Sequence, residues 1–217
     1  MAIRIGVYDF FAYTVPGGLY LTALIYLCTI FGLIAVDSQS LNNLSAIQIL
    51  VLAVLAYISG LIFDPVAKKW YQIFKPKGLS KKVLDDFRKK YASLDVKFQL
   101  GDWPILLTYL RQNASDVAAD IDKYNATNIM LRNISLSLIL LSAIEITQFF
   151  RTSFLIVHLV LSVVFVIASI VTVRESVKFA TWFYSATYEA IAAHGLEISD
   201  FVKQKRTTGS TEGTSNT

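Results

Sequence analysis

Four stretches of the chain are apolar for long enough to cross a membrane, and the polar residues gather between them. Leu19 to Val36 and Ile47 to Phe63 carry no charge. Asn133 to Phe149 carries only Glu145, and Ser153 to Val173 carries no acidic or basic residue. A helix needs roughly 20 apolar residues to span about 30 Å of hydrocarbon. The pattern therefore predicts an all-α membrane protein with four transmembrane helices. The first run starts well into the chain and no A-x-A-type site follows it, so it reads as a retained span rather than a signal peptide.

Between and after the spans the spacing changes. Residues 1–18 read as an interfacial lead-in, with Tyr8, Phe10, Phe11 and Tyr13 suited to the headgroup level. Pro16-Gly17-Gly18 is expected to break the chain before the first span, which with the second covers residues 19–63. Residues 64–128 form a polar, helical insert between spans 2 and 3, with an irregular start at Pro65, Pro76 and Gly78. Within it Ser80 can cap a helix through Tyr91 that buries Val83, Leu84 and Phe87. Val96, Phe98 and Leu100 alternate with polar residues, as in a short strand. Asp102 can cap a second helix with Pro104 in its first turn, and Ser115 a third. That third helix keeps its spacing into span 3, so residues 129–173 hold spans 3 and 4. Residues 174–206 contain a helix that continues span 4 out of the membrane, to about His194-Gly195. Residues 207–217, rich in Thr, Ser and Gly, read as a disordered tail.

Charge fixes an orientation. Every Lys and Arg except Arg151 lies on one side of the four spans. The positive-inside rule makes that side cytoplasmic and puts both termini there. In a bacterium the membrane would be the inner one. The chain is 54% hydrophobic and 17% charged, against about 25% charged in soluble domains, which excludes an ordinary soluble enzyme.

Each span also carries polar residues at helical spacing: Thr22, Tyr26 and Thr29; Tyr57, Gly60 and Asp64; Arg132, Ser135, Ser142 and Glu145; His158, Ser162, Ser169 and Thr172. Such stripes either pack helices together or line a wet path. For a path, His158, Ser162, Ser169 and Thr172 are the candidate lining, because that stripe is longest. A path would form between copies of a homo-oligomer rather than within one short chain. Glu145 is expected to pair with Arg151 at the outer interface.

The insert is basic. Lys68, Lys69, Trp70, Lys81, Lys82, Arg88, Lys89 and Lys90 are the candidate ligand-binding residues. The cations would attract anionic membrane lipids. They could equally hold the phosphates of a nucleotide or oligonucleotide, with aromatics stacking on its bases. Catalytic chemistry has no foothold: there is no G-x-S-x-G, no H-E-x-x-H and no phosphate-binding glycine loop. No metal and no cofactor is expected, since Cys28 is the single cysteine and the two histidines are far apart.

The segment Tyr8-Asp9-Phe10-Phe11-Ala12-Tyr13, followed by Pro16-Gly17, resembles small membrane proteins of bacterial anti-phage operons. The four-span plan resembles the Hailong-type channel effector and, second, the Kiwa membrane subunit. The resemblance implies a tetrameric ion channel in bacterial immunity, gated by a nucleic-acid ligand or a soluble operon partner. The alternative is a non-conducting membrane sensor or scaffold that recruits a soluble partner.

Overall fold

The computed structural model describes residues 7–34, 45–92, 101–152 and 155–194. Six helices account for nearly all of them, with no strand among the described residues. They are α1 (Val7–Ile30), α2 (Ala46–Phe74), α3 (Leu79–Lys90), α4 (Trp103–Asn113), α5 (Ser115–Arg151) and α6 (Ile156–His194). Four of these, α1, α2, α5 and α6, are long and apolar enough to cross a membrane. The short strand expected near Val96 to Leu100, and the tail, lie outside the described residues.

Two prolines expected to break the chain do not. Helix α1 runs through Pro16, and α2 runs through Pro65 as far as Phe74. A proline inside a helix removes one backbone hydrogen bond. Breaking the helix in an apolar medium would strand several more, so continuation is the lesser cost. Lys68, Lys69 and Trp70 consequently belong to the α2 helix, not to an irregular start of the insert. The break comes later. Lys75, held before Pro76, is extended (φ −70°, ψ 124°), and Gly78 is left-handed (φ 69°). Gly78, not Ser80, occupies the cap position of α3. At the other end of α2, Ser45 and Gln48 form a reciprocal capping box. Asp102 does precede α4, but its carboxylate makes no capping bond to it. Ser115 is the first residue of α5 rather than its cap.

The chain divides into two compact units. One comprises residues 1–75 and 126–178, the other residues 76–125 and 179–217. In the first, α1 and α2 meet backbone to backbone. A side chain built on Gly17 would fall on the Ala56 carbonyl, and one on Gly60 would fall on the Tyr13 carbonyl. Lipid tails are as apolar as leucine, so close packing rather than water expulsion holds such helices together. Tyr20 stacks on Phe63 at 4.4 Å between ring centroids, over Ala67 and Leu136.

The second unit is an amphipathic helical module. It buries Val83, Leu84 and Phe87 of α3 and Leu106, Leu107 and Leu110 of α4. From the ends of α5 and α6 come Ile121, Phe183, Tyr188 and Ile191. Trp103 sits edge-on to Phe183 and Tyr184.

Candidate functional site

Helix α5 joins the other three spans through buried polar groups. On one side, the Arg132 guanidinium donates to both Asp64 oxygens of α2 at 2.7 and 2.8 Å. Asn133 Nδ2 donates to the same carboxylate at 2.8 Å. The Tyr20 hydroxyl of α1 donates to the Asn133 carbonyl at 2.8 Å. Lower in the same unit, Trp70 Nε1 donates to Ser135 Oγ at 2.9 Å. Trp70 is thus held in the bundle, packed against Tyr20, Ala67 and Leu136.

The other side of α5 faces α6 as a ladder. Ser176 Oγ donates to Asn128 Oδ1 at 2.7 Å. Ser135 and Ser169 hydroxyls lie 2.8 Å apart, and Ser142 and Ser162 hydroxyls 2.8 Å apart. Ser169 also donates to the Ser135 carbonyl. Asn128, Ser135 and Ser142 recur every seven residues, as do Ser162, Ser169 and Ser176. Pairing them in opposite order is what an antiparallel hairpin does. A seven-residue repeat brings the same face round every two turns and favours left-handed packing. Each rung joins two small side chains, so the helices can approach closely.

The last rung is ionisable. His158 Nδ1 lies 2.7 Å from Glu145 Oε2, and Glu145 is buried. The expected Glu145–Arg151 pair is not formed. Six residues along a helix turn a side chain to a different face, so the two cannot meet. Arg151 instead lies over the Phe31 ring, 5.1 Å from its centroid.

Three of the four candidate lining residues are therefore turned into the hairpin. Ser162 and Ser169 are buried against α5, and His158 is bonded to Glu145. Thr172, half-buried, donates to the Ala168 carbonyl of its own helix. Single changes here should be mild. Ser169→Ala should cost about 0.6 kcal/mol, the average for interhelical hydrogen bonds in a membrane. Unfolding titrations of the purified protein in mixed micelles would read it, and a loss several times larger would mean the rung does more than pack.

The outward surfaces of α2 and α6 are almost wholly aliphatic from Ile47 to Val66 and from Leu155 to Val171. Polar groups facing outward are found on α1. Thr22 and Thr29 are exposed, and each hydroxyl donates to a carbonyl of its own helix, Gly18 and Ile25. Gly18 shares that line with open space beside it. The lone pairs of both hydroxyls remain free to face water or a cation.

No family model, curated protein or solved structure matches this chain. Function therefore rests on the geometry of its own residues.

The basic candidates fall into both units. Lys68 and Lys69 are exposed on α2. In the second unit Lys81, Lys82, Arg88, Lys89 and Lys90 are exposed on α3; Lys81, Lys82 and Lys89 lie away from the buried Val83, Leu84 and Phe87, and Arg88 and Lys90 border them. Lys90 pairs with Glu189 at 2.9 Å, and that hydrogen bond raises the titration of its amine. The α3 cations share their solvated side with Asp85 and Asp86. Among the described residues no group of His, Cys, Asp and Glu could hold a metal ion.

Proposed function

We propose that the protein is an oligomeric channel of the bacterial inner membrane, opened through its basic helical module. The observation that carries this reading is the outward line of Gly18, Thr22 and Thr29 on α1. Gly18 has open space beside it, both hydroxyls are exposed, and Ile25 stands exposed between them; among the described residues nothing lies within reach of a side chain at Gly18. Around a symmetry axis this line would make a wall of hydroxyl oxygens, the kind of lining that replaces part of an ion's water. This moves the lining role from α6, whose hydroxyls are bonded to α5, to α1. The aliphatic faces of α2 and α6 would then meet lipid. The Lys and Arg bias supports both termini in the cytoplasm. The resemblance to anti-phage effectors supports four copies, a nucleotide or oligonucleotide ligand on α3, and depolarisation as the outcome.

Potassium efflux from proteoliposomes tests this reading, with a short oligoadenylate as the probe ligand. The wild type should leak when the probe is added. Replacing Lys81, Lys82, Arg88, Lys89 and Lys90 by Gln should abolish the response. Equal efflux in that variant would remove the ligand from α3. A tight wild type would favour the second reading, a scaffold that recruits a soluble partner.

A further inference from the structure

The end of α2 carries cations that its own unit does not neutralise. Lys68, Tyr71 and Lys75 are spaced three and then four residues apart, so they share one helix face. Tyr71 is buried, Lys75 is half-buried, and the Lys75 amine lies 5.8 Å from the Tyr71 ring centroid. Arg132 approaches from α5, and its Nε is buried with no hydrogen-bond partner among the described residues. Asp64 is already bonded to Arg132 and to Asn133. No salt bridge reaches Lys68 or Lys75 among the described residues. The Lys75 amine titrates below the ordinary lysine value, because burial strips its water and because Lys68 and then Arg132 repel its charge.

Positive groups gathered in this way are completed by an anion. The surroundings say which kind. The cluster closes an apolar span, the level where headgroups lie. Trp70, Tyr71 and Phe74 are the aromatics expected there. Leu61 stands exposed, at 42%, two turns before Lys68 on the same helix face. It offers an acyl chain a contact that leads toward the cations. We propose that Lys68, Lys75 and Arg132 form a binding site for a phosphate group, and that an anionic phospholipid headgroup supplies it. A phosphate offers several acceptor oxygens, enough for two ammonium groups and the edge of a guanidinium. The site requires no conduction and would hold equally in a scaffold.

Lysine acylation of the full chain in nanodiscs tests it, read peptide by peptide by mass spectrometry. Lys69, exposed and on another face of α2, is the internal reference. Replacing phosphatidylcholine by an equal mixture with phosphatidylglycerol should slow Lys75 about fivefold relative to Lys69. That is the ratio produced by a site that holds Lys75 by about 1 kcal/mol more than the general surface attraction it shares with Lys69. Lys68→Gln should remove much of that protection. Inorganic phosphate added to phosphatidylcholine nanodiscs forms a third arm. Protection by phosphate alone would uphold the phosphate site and make its source soluble. A Lys75 rate that follows Lys69 in every arm, or protection unchanged by Lys68→Gln, would overturn the proposal.

Discussion

Asp64→Ala should be among the most destabilising single substitutions in the first unit. It strips the Arg132 guanidinium of both its carboxylate bonds while only 12% of that side chain is exposed. Removing one partner of a buried ion pair costs about 3–5 kcal/mol, because the other charge stays behind unpaired. Asn133 also loses one of the two acceptors of its amide, keeping the Ile129 carbonyl, and Asn133 in turn holds the Tyr20 hydroxyl. The pair itself is a different matter. Asp64→Leu combined with Arg132→Met leaves no stranded charge, so the double variant should recover most of the loss. Denaturant titration of the purified protein, followed by circular dichroism, gives the three values. A double variant as unstable as the sum of the singles would show that the two charges are not coupled.

Gly60→Leu should be the next most damaging, by steric means. The new side chain would fall on the Tyr13 carbonyl, which belongs to backbone and cannot swing aside. Helices α1 and α2 must then part. Overpacking of a close interior costs about 1–3 kcal/mol. Here the separation would also loosen the stacking of Tyr20 on Phe63. Gly17→Leu should behave alike, since its side chain would meet the Ala56 carbonyl. Gly18→Ala is the contrast, because nothing lies within reach of the added methyl. Melting temperatures in detergent should fall sharply for the first two variants and hardly for the third. Equal effects at Gly17 and Gly18 would contradict the backbone contact.

The contrast between Gly17 and Gly18 marks the limit of what the chain alone discloses. Four spans, the long outward runs of α5 and α6, and the amphipathic face of α3 were legible, because each is written in the spacing of apolar residues. At Pro16 and Pro65 local propensity points to breaks that the helices do not make. In an apolar medium the requirement that every backbone group be bonded outweighs it. Polar stripes were visible on every span, but a stripe does not say what it faces. Ser162 and Ser169 look like Thr22 and Thr29 in sequence. The first two meet α5 and the second two face outward.

The ladder itself was half legible. The seven-residue spacing of Ser135 and Ser142 is in the sequence, and so is that of Ser162 and Ser169. Their pairing in opposite order needs the hairpin to be antiparallel. Ser176 and Asn128 complete the repeat, and only the three-dimensional pairing connects them. Nearness in sequence pairs Glu145 with Arg151, although helix geometry turns Arg151 to another face. His158 was the residue to consider, and its distance along the chain concealed it.

The central claim is that copies of this chain close around α1. It is tested most directly by disulfide crosslinking of Thr22→Cys in a Cys28→Ser background, with the size of the assembly read by native mass spectrometry in nanodiscs. The account predicts a closed ring of four copies, crosslinked through position 22, with no crosslinking from a cysteine placed at the lipid-facing Val163. A monomer, or a ring that crosslinks through Val163 and not through position 22, would contradict it.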